Sequence, residues 1–327
     1  MELEKYLGEV ITQVNETIDK YIQGDVPELY EASRYLLKAG GKRLRPLMVV
    51  LSSELLGGSR DRAILAGAAI EVLHNFTLIH DDIMDQDTTR RGLPTVHVKW
   101  GIPTAILAGD LLHAKAFELI TESIKGLPID LAYRALNCFS RSIVIVSEGQ
   151  AMDMEFERRW DVTESLYLEM IRKKTAQLFA CSAHLGGLLA NGTNEEVNSL
   201  YDFGEKIGIA FQIMDDILGI TADEKELGKP LYSDIREGKK TILLIKALER
   251  ANEHQRKTIM NGMGSSDVST LSSVASLISE LSLDYSQQLV RKYYENALRS
   301  LSKVRSRNQL ALDGLRAIAD LIITRRK

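Results

Sequence analysis

The sequence predicts an all-α protein, and three observations carry that prediction. Apolar residues recur at helical spacing along nearly the whole chain. Only 6 prolines interrupt its 327 residues. No Asn-Gly turn separates two segments of alternating polar and apolar residues, the pattern typical of a β-hairpin. Because no low-complexity spacer divides the chain, we expect residues 1–327 to form a single-domain helical bundle.

The helical pattern breaks into consecutive segments at glycines, prolines and charged stretches. It predicts helices over residues 2–22, 27–39, 46–56, 61–85, 102–124, 129–157, 163–190, 194–219, 239–262, 267–281, 283–302 and 308–323. Glycine pairs at 40–41 and 57–58 end the second and third helices. Pro46 suits the first position of the third. We expect charged loops over 86–100 and 221–238.

The composition is that of a globular protein with a large core, since 45% of its residues are apolar and 26% are charged. A net charge of −4 does not favour nucleic acid as a partner. Cys138 and Cys181 fit no disulfide framework or metal spacing, which favours a reducing, cytoplasmic compartment. The N-terminus lacks the basic and apolar regions of a signal peptide. No uninterrupted apolar run reaches about 18 residues, so we expect no transmembrane segment.

A cluster of acids ends the predicted helix 61–85. Asp81, Asp82, Asp85 and Asp87 lie within seven residues. Asp81 and Asp85 share a helix face, where like charges repel by about 0.2–0.5 kcal/mol. A bound cation removes that repulsion, and ligands that are all oxygen suit Mg²⁺. A solvated acidic helix end explains this one motif equally well.

A second pair of acids, Asp215 and Asp216, ends another apolar helix in the stretch FQIMDDILG. Gln212 precedes them by one helical turn and shares their face. Helical bundles build metal sites from carboxylates on facing helices. Two such helix ends therefore favour a metal site over two solvated termini.

Cations cluster in matching fashion. A glycine turn followed by Lys42, Arg43 and Arg45 feeds a helix N-terminus, as an anion site requires. Further cations follow each acidic motif or lie between them: Arg90, Arg91, Lys173, Lys174, Lys229, Lys239 and Lys240. Each cluster alone is typical of a solvated surface. Their alternation with the acids indicates a polyphosphate bound to Mg²⁺ together with a second anion.

Three polar side chains lie on otherwise apolar helices. His74 is seven residues before Asp81 and so lies near the same face. It is either a satisfied core residue or a hydrogen-bond partner for an anion, and the excess of acids favours Mg²⁺ over zinc or di-iron. Gln150 and Asp153 form the other polar pair.

At this point the sequence resembles the trans-isoprenyl diphosphate synthases, or polyprenyl synthetases, and among them most closely the archaeal-type geranylgeranyl diphosphate synthases. The matching segments, in the family's order, are GGKRLRP, LIHDDIMDQDTTRRGLPTVH, AGDLLHAKAF, EGQAMDM, KKTAQLF, FQIMDDILG and GKPLYSDIREGKKT. They span residues 40–241 and leave the C-terminal third without a motif.

The resemblance implies an all-α fold around a deep central cavity, usually in a homodimer. It implies Mg²⁺-dependent, head-to-tail condensation of isopentenyl diphosphate with an allylic prenyl diphosphate. The implied product is geranylgeranyl diphosphate, with farnesyl or geranylfarnesyl diphosphate as alternatives.

The resemblance also assigns roles to residues. Asp81, Asp82 and Asp85 would hold Mg²⁺ on the allylic diphosphate, and Asp215 would hold another ion. The allylic diphosphate would contact Arg90, Gln150, Asp153, Lys174, Gln212, Lys229 and Lys239. Isopentenyl diphosphate would contact Lys42, Arg45, His74 and Arg91, with Arg43 nearby. Thr175 would lie beside the reacting carbons and join the acids and Lys174 in the catalytic set.

One position departs from the family pattern. Many relatives end the second motif with a third Asp, where this chain has Gly219. A role for a third acid at that position is therefore in doubt, and Asp223 is a substitute that the sequence alone does not test.

Two other classes share part of this signature. A terpene cyclase also uses an Asp-rich motif with Mg²⁺, but it binds one diphosphate and needs no second anion site. A non-catalytic helical scaffold would not need acids and cations in both halves.

The residues before Asp81 are expected to set product length. Thr77, Leu73 and Ile70 lie below Asp81 on roughly one helix face, with Leu73 about 12 Å and Ile70 about 16 Å away. The resemblance instead indicates Phe76, five residues before the first Asp, although an ideal helix turns Phe76 about 140° from Asp81. We expect the Phe76 side chain to be the main block to growth of the prenyl chain and Leu73 to be a second block below it. Thr77 is small enough to let the prenyl chain pass. Alternatively, Phe76 is only core packing.

Overall fold

The computed structural model describes residues 2–221 and 232–324. Its helices are α1 (Glu2–Tyr21), α2 (Pro27–Lys38), α3 (Leu44–Leu55), α4 (Arg60–Met84), α5 (Val96–Trp100), α6 (Ile102–Ile124), α7 (Ile129–Phe156), α8 (Glu164–Ile171), α9 (Gln177–Leu189), α10 (Asn194–Thr221), α11 (Ser233–Glu237), α12 (Ile242–Arg250), α13 (Glu253–Gly262), α14 (Val268–Leu301) and α15 (Gln309–Ile323). A π-helical segment, Arg172–Ala176, joins α8 to α9. The all-α prediction is confirmed.

The loop expected over 86–100 contains a small hairpin and the short helix α5. Strands β1 (Thr89–Arg90) and β2 (Leu93–Pro94) pair antiparallel, with Thr89 opposite Pro94. Arg91 and Gly92 form the turn with φ of 54° and 74°. Such a turn matches the twist of the two strands. A non-glycine residue with positive φ is uncommon, so the sequence did not signal this hairpin.

Helix α3 begins at Leu44, two residues before the predicted start at Pro46. Pro46 is therefore the third helical residue. Its missing N–H costs nothing there, because the first four N–H groups of a helix have no partner within it.

Two predicted boundaries in the C-terminal part were wrong. The helix expected over 239–262 ends at Arg250 and restarts at Glu253, because Asn252 and Gln255 form a reciprocal capping box. The helices expected over 267–281 and 283–302 are the single helix α14. Ser282 lies buried within α14, where its hydroxyl donates to the Ile278 carbonyl. A serine satisfied in this way does not end a helix.

The described residues group into two compact units. Unit 1 contains residues 2–141, 178–204 and 300–318, and unit 2 contains residues 142–177, 205–221, 232–299 and 319–324. The single-domain assignment of residues 1–327 stays a prediction.

Helix α4 is the central helix of unit 1. It packs against α1, α3 and α6, and Ile70 is fully buried. Gly67 lets α3 approach closely, since a Cβ there would lie 3.2 Å from the Pro46 carbonyl oxygen. Among the described helices, only α4 is long and apolar enough to cross a membrane, but 67% of that window is buried in the protein. This burial identifies α4 as a core helix.

Unit 2 has a core of its own. Helix α8 packs against α12, and Tyr167, Ile242 and Leu243 are almost fully buried. The π-helical segment follows directly on α8, so this core fixes the position of its cations.

Candidate active site

The first acidic motif in unit 1 is organised by Arg90. Strand β1 brings this guanidinium back onto the end of α4, where Nε donates to Asp82 Oδ1 at 2.5 Å. Nη2 lies 3.5 Å from Asp81 Oδ2 and 3.7 Å from Asp87 Oδ2. Asp85 caps the C-terminus of α4. The half-buried guanidinium of Arg90 thus lies within 4 Å of three carboxylates of the motif.

Asp82 is the buried member of this motif, with 1% of its surface exposed. Its Oδ2 atom is buried and has no hydrogen-bond partner among the described residues. Burial raises the pKa of Asp82 to about 6, even though Arg90 acts in the opposite direction. A buried carboxylate oxygen left in this state favours an incoming cation.

The residues of the motif fit a hard divalent ion. Their donors are carboxylate oxygens, which Mg²⁺ prefers. Across residues 2–221 and 232–324, no three His, Cys, Asp or Glu side chains converge closely enough to hold an ion alone. A site made entirely of protein ligands is not required, because Mg²⁺ is commonly held by one or two carboxylates together with substrate phosphates.

A cationic pocket lies in the same unit. The Arg45 Nη1 atom lies 3.2 Å from His74 Nε2. Arg91 donates to the carbonyl oxygens of Leu36 and Gly40, and the exposed Lys42 lies in the adjoining turn. Burial, reinforced by Arg45 and Arg91, lowers the pKa of His74 well below its usual range. A neutral His74 accepts from Arg45 and keeps a donor on its other ring nitrogen.

Arg43 is not part of this pocket. Its side chain is 6% exposed and Nη1 donates to Glu71 Oε1 at 2.8 Å. Glu71 and His74 have the Glu-x-x-His spacing of di-iron proteins, a pattern that sequence reasoning overlooked. Because Glu71 pairs with Arg43 and His74 faces Arg45, the structure gives this spacing no metal role.

The second acidic motif lies in unit 2. Asp216 is 5% exposed and accepts hydrogen bonds from the Tyr167 hydroxyl at 2.6 Å and from Gln212 Nε2 at 2.9 Å. Burial, followed by the charge of Asp234, raises the pKa of Asp216 to about 8. Asp215 is half-buried. The two neighbouring acids therefore have different surroundings.

The π-helical segment presents two predicted residues to this motif. Lys174 Nζ lies 2.6 Å from Asp153 Oδ2, and the Thr175 hydroxyl donates to Gln212 Oε1 at 2.7 Å. Gln212 in turn donates to Asp216, so hydrogen bonds connect Thr175 to the second acidic motif. Single π turns inside helices are frequent at functional sites. The sequence predicted one continuous helix over residues 163–190, so the π-helical segment at Arg172–Ala176 was not foreseen.

Gly149 explains how the π-helical segment approaches α7. A Cβ at Gly149 would lie 2.3 Å from the Lys174 amide nitrogen, so only glycine allows this contact. The next residue, Gln150, has a buried Nε2 atom without a hydrogen-bond partner among the described residues. A buried donor of this kind is unusual and needs a partner.

The remaining predicted residues of unit 2 are only partly brought together. Lys239 lies 3.0 Å from Glu237. Lys229 and Asp223 lie outside the described residues. At Gly219, a Cβ would lie 2.9 Å from Asp234 Oδ2. Asp234 thus occupies the space beside the position of the missing third acid; it lies in the matching segment GKPLYSDIREGKKT, but sequence reasoning gave it no role.

The predicted product-length residues lie along α4. Leu73 is 1% exposed, and the Thr77 hydroxyl donates to the His74 carbonyl at 2.7 Å. The Phe76 ring contacts His80 and His113, with ring centroids 4.8 and 5.1 Å apart. Sequence reasoning missed His113, because a contact between α4 and α6 leaves no local signal.

Comparison with known proteins identifies the class. The crystal structure of geranylgeranyl pyrophosphate synthetase from Pyrococcus horikoshii matches with a TM-score of 0.92 at 40% identity, covering 99% of both chains. A polyprenyl synthase from Caulobacter crescentus, crystallised with calcium and isoprenyl diphosphate, matches with a TM-score of 0.91 at 31% identity, covering 99% of this chain and 97% of that one. The fold is therefore that of the all-α isoprenoid synthases.

The family follows from the sequence comparisons. The polyprenyl synthetase family profile matches residues 26–281. The geranylgeranyl diphosphate synthase of Sulfolobus acidocaldarius is 56% identical over 326 residues, 99% of either chain. This chain belongs to the polyprenyl synthetase family and is a prenyltransferase by that membership. The family condenses isopentenyl diphosphate with allylic diphosphates and uses divalent metal ions, so the resemblance stated above is confirmed.

Proposed function

We propose that this protein is a Mg²⁺-dependent geranylgeranyl diphosphate synthase that joins isopentenyl diphosphate head-to-tail to an allylic diphosphate. One observation carries the proposal. Helix α4 bears, two turns apart, the under-neutralised carboxylate of Asp82 and the neutral His74 beside the guanidinium of Arg45. The carboxylate of Asp82 suits a diphosphate that binds together with a metal ion. The His74–Arg45 pair suits a diphosphate that binds without one.

The proposed allylic site uses the acids and the cations around them. Asp81, Asp82 and Asp85 would hold one or two ions, and Asp215 a further ion. Arg90, Gln150, Asp153, Lys174, Gln212, Lys229 and Lys239 would contact or support the allylic diphosphate. Mg²⁺ would supply Lewis acidity and charge neutralisation.

The proposed isopentenyl site uses Lys42, Arg45, His74 and Arg91. Arg43 is left out because it is buried against Glu71. Planar guanidinium groups bind phosphate oxygens with two parallel hydrogen bonds. The neutral His74 adds a hydrogen-bond donor, which would orient the diphosphate without adding positive charge.

The chemistry needs the allylic C–O bond to ionise, and diphosphate leaves readily only when its charge is balanced. Arg90 and Lys174 would supply positive charge for that purpose, in the manner of preorganised electrostatic catalysis. The double bond of isopentenyl diphosphate then attacks the allylic cation, which is a problem of positioning. Among the described residues we identify no protein base for the final proton, and the departing diphosphate is the proposed acceptor.

Thr175 is proposed to lie beside the reacting carbons. Its hydroxyl is committed as a donor to Gln212, so its lone pairs point elsewhere and can stabilise positive charge. Phe76, Leu73 and Thr77 are proposed to set product length, with geranylgeranyl diphosphate as the product and farnesyl or geranylfarnesyl diphosphate as the alternatives.

We further propose a cytoplasmic homodimer. Support for an interaction surface comes from large apolar side chains exposed in two places, Ile102, Ile106 and Leu107 at the start of α6 and Ile129 and Tyr133 at the start of α7. Exposed apolar patches are typical of interaction sites. Light scattering behind a sizing column tests this directly, and a mass of one chain at assay concentration would contradict it.

The function is tested by incubating the protein with labelled isopentenyl diphosphate and each allylic starter, then sizing the products. We expect a twenty-carbon diphosphate that disappears in EDTA and returns with Mg²⁺. A terpene cyclase would instead release a hydrocarbon from the allylic substrate alone. A non-catalytic scaffold would give no product under any of these conditions.

A further inference from the structure

Arg43 occupies an unusual position for the middle cation of an Lys-Arg-Leu-Arg run. Its backbone is left-handed, with φ of 50° and ψ of 33°, a conformation that is uncommon for a non-glycine residue. The consequence is that its side chain turns inward while the neighbouring Lys42 remains exposed. Such a backbone persists only where the surroundings hold it.

The surroundings of Arg43 supply acceptors on all sides of its guanidinium. Nη2 donates to the Leu37 carbonyl at 2.6 Å, Nη1 to the Gly40 carbonyl at 3.1 Å, and Nε to Asn15 Oδ1 at 3.0 Å. The fourth partner is Glu71 Oε1 at 2.8 Å. Every polar edge of the group is therefore satisfied, as a buried charge requires.

Glu71 is buried to the same degree, with 3% of its surface exposed. Its Oε1 also accepts from Asn75 Nδ2 at 3.1 Å. Glu71 precedes His74 by one turn of α4. The Arg43–Glu71 pair thus ties the glycine turn to the helix that carries His74. Buried ion pairs add little net stability, and their best supported use is to select one arrangement of the chain.

The turn itself is held between two guanidinium groups. The Gly40 carbonyl accepts from both Arg43 and Arg91. A Cβ at Gly41 would lie 3.2 Å from Nη1 of Arg43 and from Nη2 of Arg91. Burial lowers the pKa of Arg91, with Glu71 acting against this shift and Arg43 adding to it. The Glu71 carboxylate therefore lets two like charges share one short turn.

We propose that Glu71, acting through Arg43, is a positioning residue for the isopentenyl diphosphate pocket: it fixes the glycine turn that carries Lys42, leads into the helix of Arg45 and accepts hydrogen bonds from Arg91. This inference rests on the proposed function. It assigns to Glu71 and Arg43 no contact with substrate. Their effect is on the geometry of the three cations that make that contact, as for residues that orient the ligands of a metal.

The test is Glu71→Gln, which keeps the size of the side chain and an oxygen for Arg43 and Asn75 but removes the charge. We expect the KM for isopentenyl diphosphate to rise about tenfold, the usual scale for losing an outer partner of a binding group. The KM for the allylic substrate and kcat should stay within about twofold, because Glu71 does not belong to the allylic site.

Two further variants complete the test. Glu71→Asp retains the charge with a shorter reach, so it should fold and raise the same KM by a smaller factor. Glu54→Gln is the matched control: Glu54 is a 9% exposed acid of the same unit and lies 2.5 Å from Arg60. It should lower the melting temperature by an amount comparable to Glu71→Gln while leaving both KM values unchanged.

The inference is overturned if the Glu71 variants raise both KM values equally, or change neither beyond the Glu54→Gln control. Failure of the proposed function has a different signature, because the unaltered protein would then form no condensation product at all.

Discussion

The two acidic motifs share one sequence pattern, an Asp-Asp pair after an apolar helix, yet their electrostatic environments differ. Asp82 in unit 1 is paired with a cation, Arg90, and its pKa is raised to about 6. Asp216 in unit 2 receives hydrogen bonds from two neutral groups, and its pKa is raised to about 8. The comparison teaches that the same Asp-Asp pair at a helix end can have a different charge balance, because that balance depends on the side chains that surround each pair.

The largest expected effect tests whether both motifs serve the metal. Asp82→Ala and Asp215→Ala should each lower kcat by about 10²-fold or more, the scale of removing one electrostatic stabiliser of a transition state. Steady-state rates at saturating Mg²⁺ and thermal melting measure the two consequences separately. Asp19→Ala, an exposed acid on α1, is the control and should change neither. A loss of rate matched by an equivalent loss of folded protein would contradict a metal role.

The next effect concerns the backbone behind the second motif. Gly149→Ala inserts a methyl group against the π-helical segment, so we expect a loss of about 1–3 kcal/mol in the free energy of unfolding and a clear fall in kcat. Gly8→Ala is the matched control, since nothing lies within 4 Å of a Cβ there. It should stabilise the protein by up to about 1 kcal/mol. Equal melting temperatures for both variants would show that α7 does not need glycine.

Below the first motif, Phe76 tests how product length is set. Phe76→Ser should remain active and make longer chains, and adding Leu73→Ser should lengthen them further. Phe203→Ser, at a fully buried aromatic of unit 1, is the control. It should destabilise the protein, as truncating a buried Phe does, without altering the product. If Phe76→Ser is active and makes the same product, Phe76 does not set product length and serves only in core packing.

The smallest effect sharpens the electrostatic contrast. A carboxyl whose folded pKa is raised favours folding while protonated, and it loses that contribution as pH rises from its unfolded value, near 4, to its folded value. In metal-free buffer, Asp216→Asn should gain stability relative to the unaltered protein up to about pH 8, and Asp82→Asn only up to about pH 6. Melting temperatures across this pH range measure how the stability gain of each variant changes with pH. If both gains level off at the same pH, the two motifs do not differ electrostatically.

Much of this architecture is readable in the sequence because it depends on local pattern. The periodic apolar residues of α4 and α6 placed those helices within one residue of their observed ends. The acidic motifs stand out in the sequence because metal chemistry restricts the residue types at such a site, whereas the roles of Lys174 and Thr175 came from the family resemblance and stay predictions. Local signals were also missed, as the Asn252 capping box shows.

Other features depend on tertiary contacts and could not be read in this way. Arg43 looks like its cationic neighbours in sequence, and only the buried Glu71 reveals its different orientation. The π-helical segment requires the close approach at Gly149. Tyr167 bonds Asp216 across 49 residues, and Asp234 approaches Gly219 from a neighbouring helix. Contacts between residues so far apart in the sequence produce no local sequence pattern from which they could be predicted.

We propose that this protein binds two diphosphates at distinct sites, one through carboxylates, metal and nearby cations such as Arg90, and one without metal through Lys42, Arg45, His74 and Arg91. The most direct measurement is the pair of KM values in Arg45→Ala and Arg90→Ala. We expect Arg45→Ala to raise the KM for isopentenyl diphosphate and Arg90→Ala that for the allylic substrate, each by about tenfold or more and with little effect on the other, since a charged hydrogen bond contributes about 1.5–3 kcal/mol. If both variants raised the same KM, or both KM values equally, the assignment of two separate sites would be wrong.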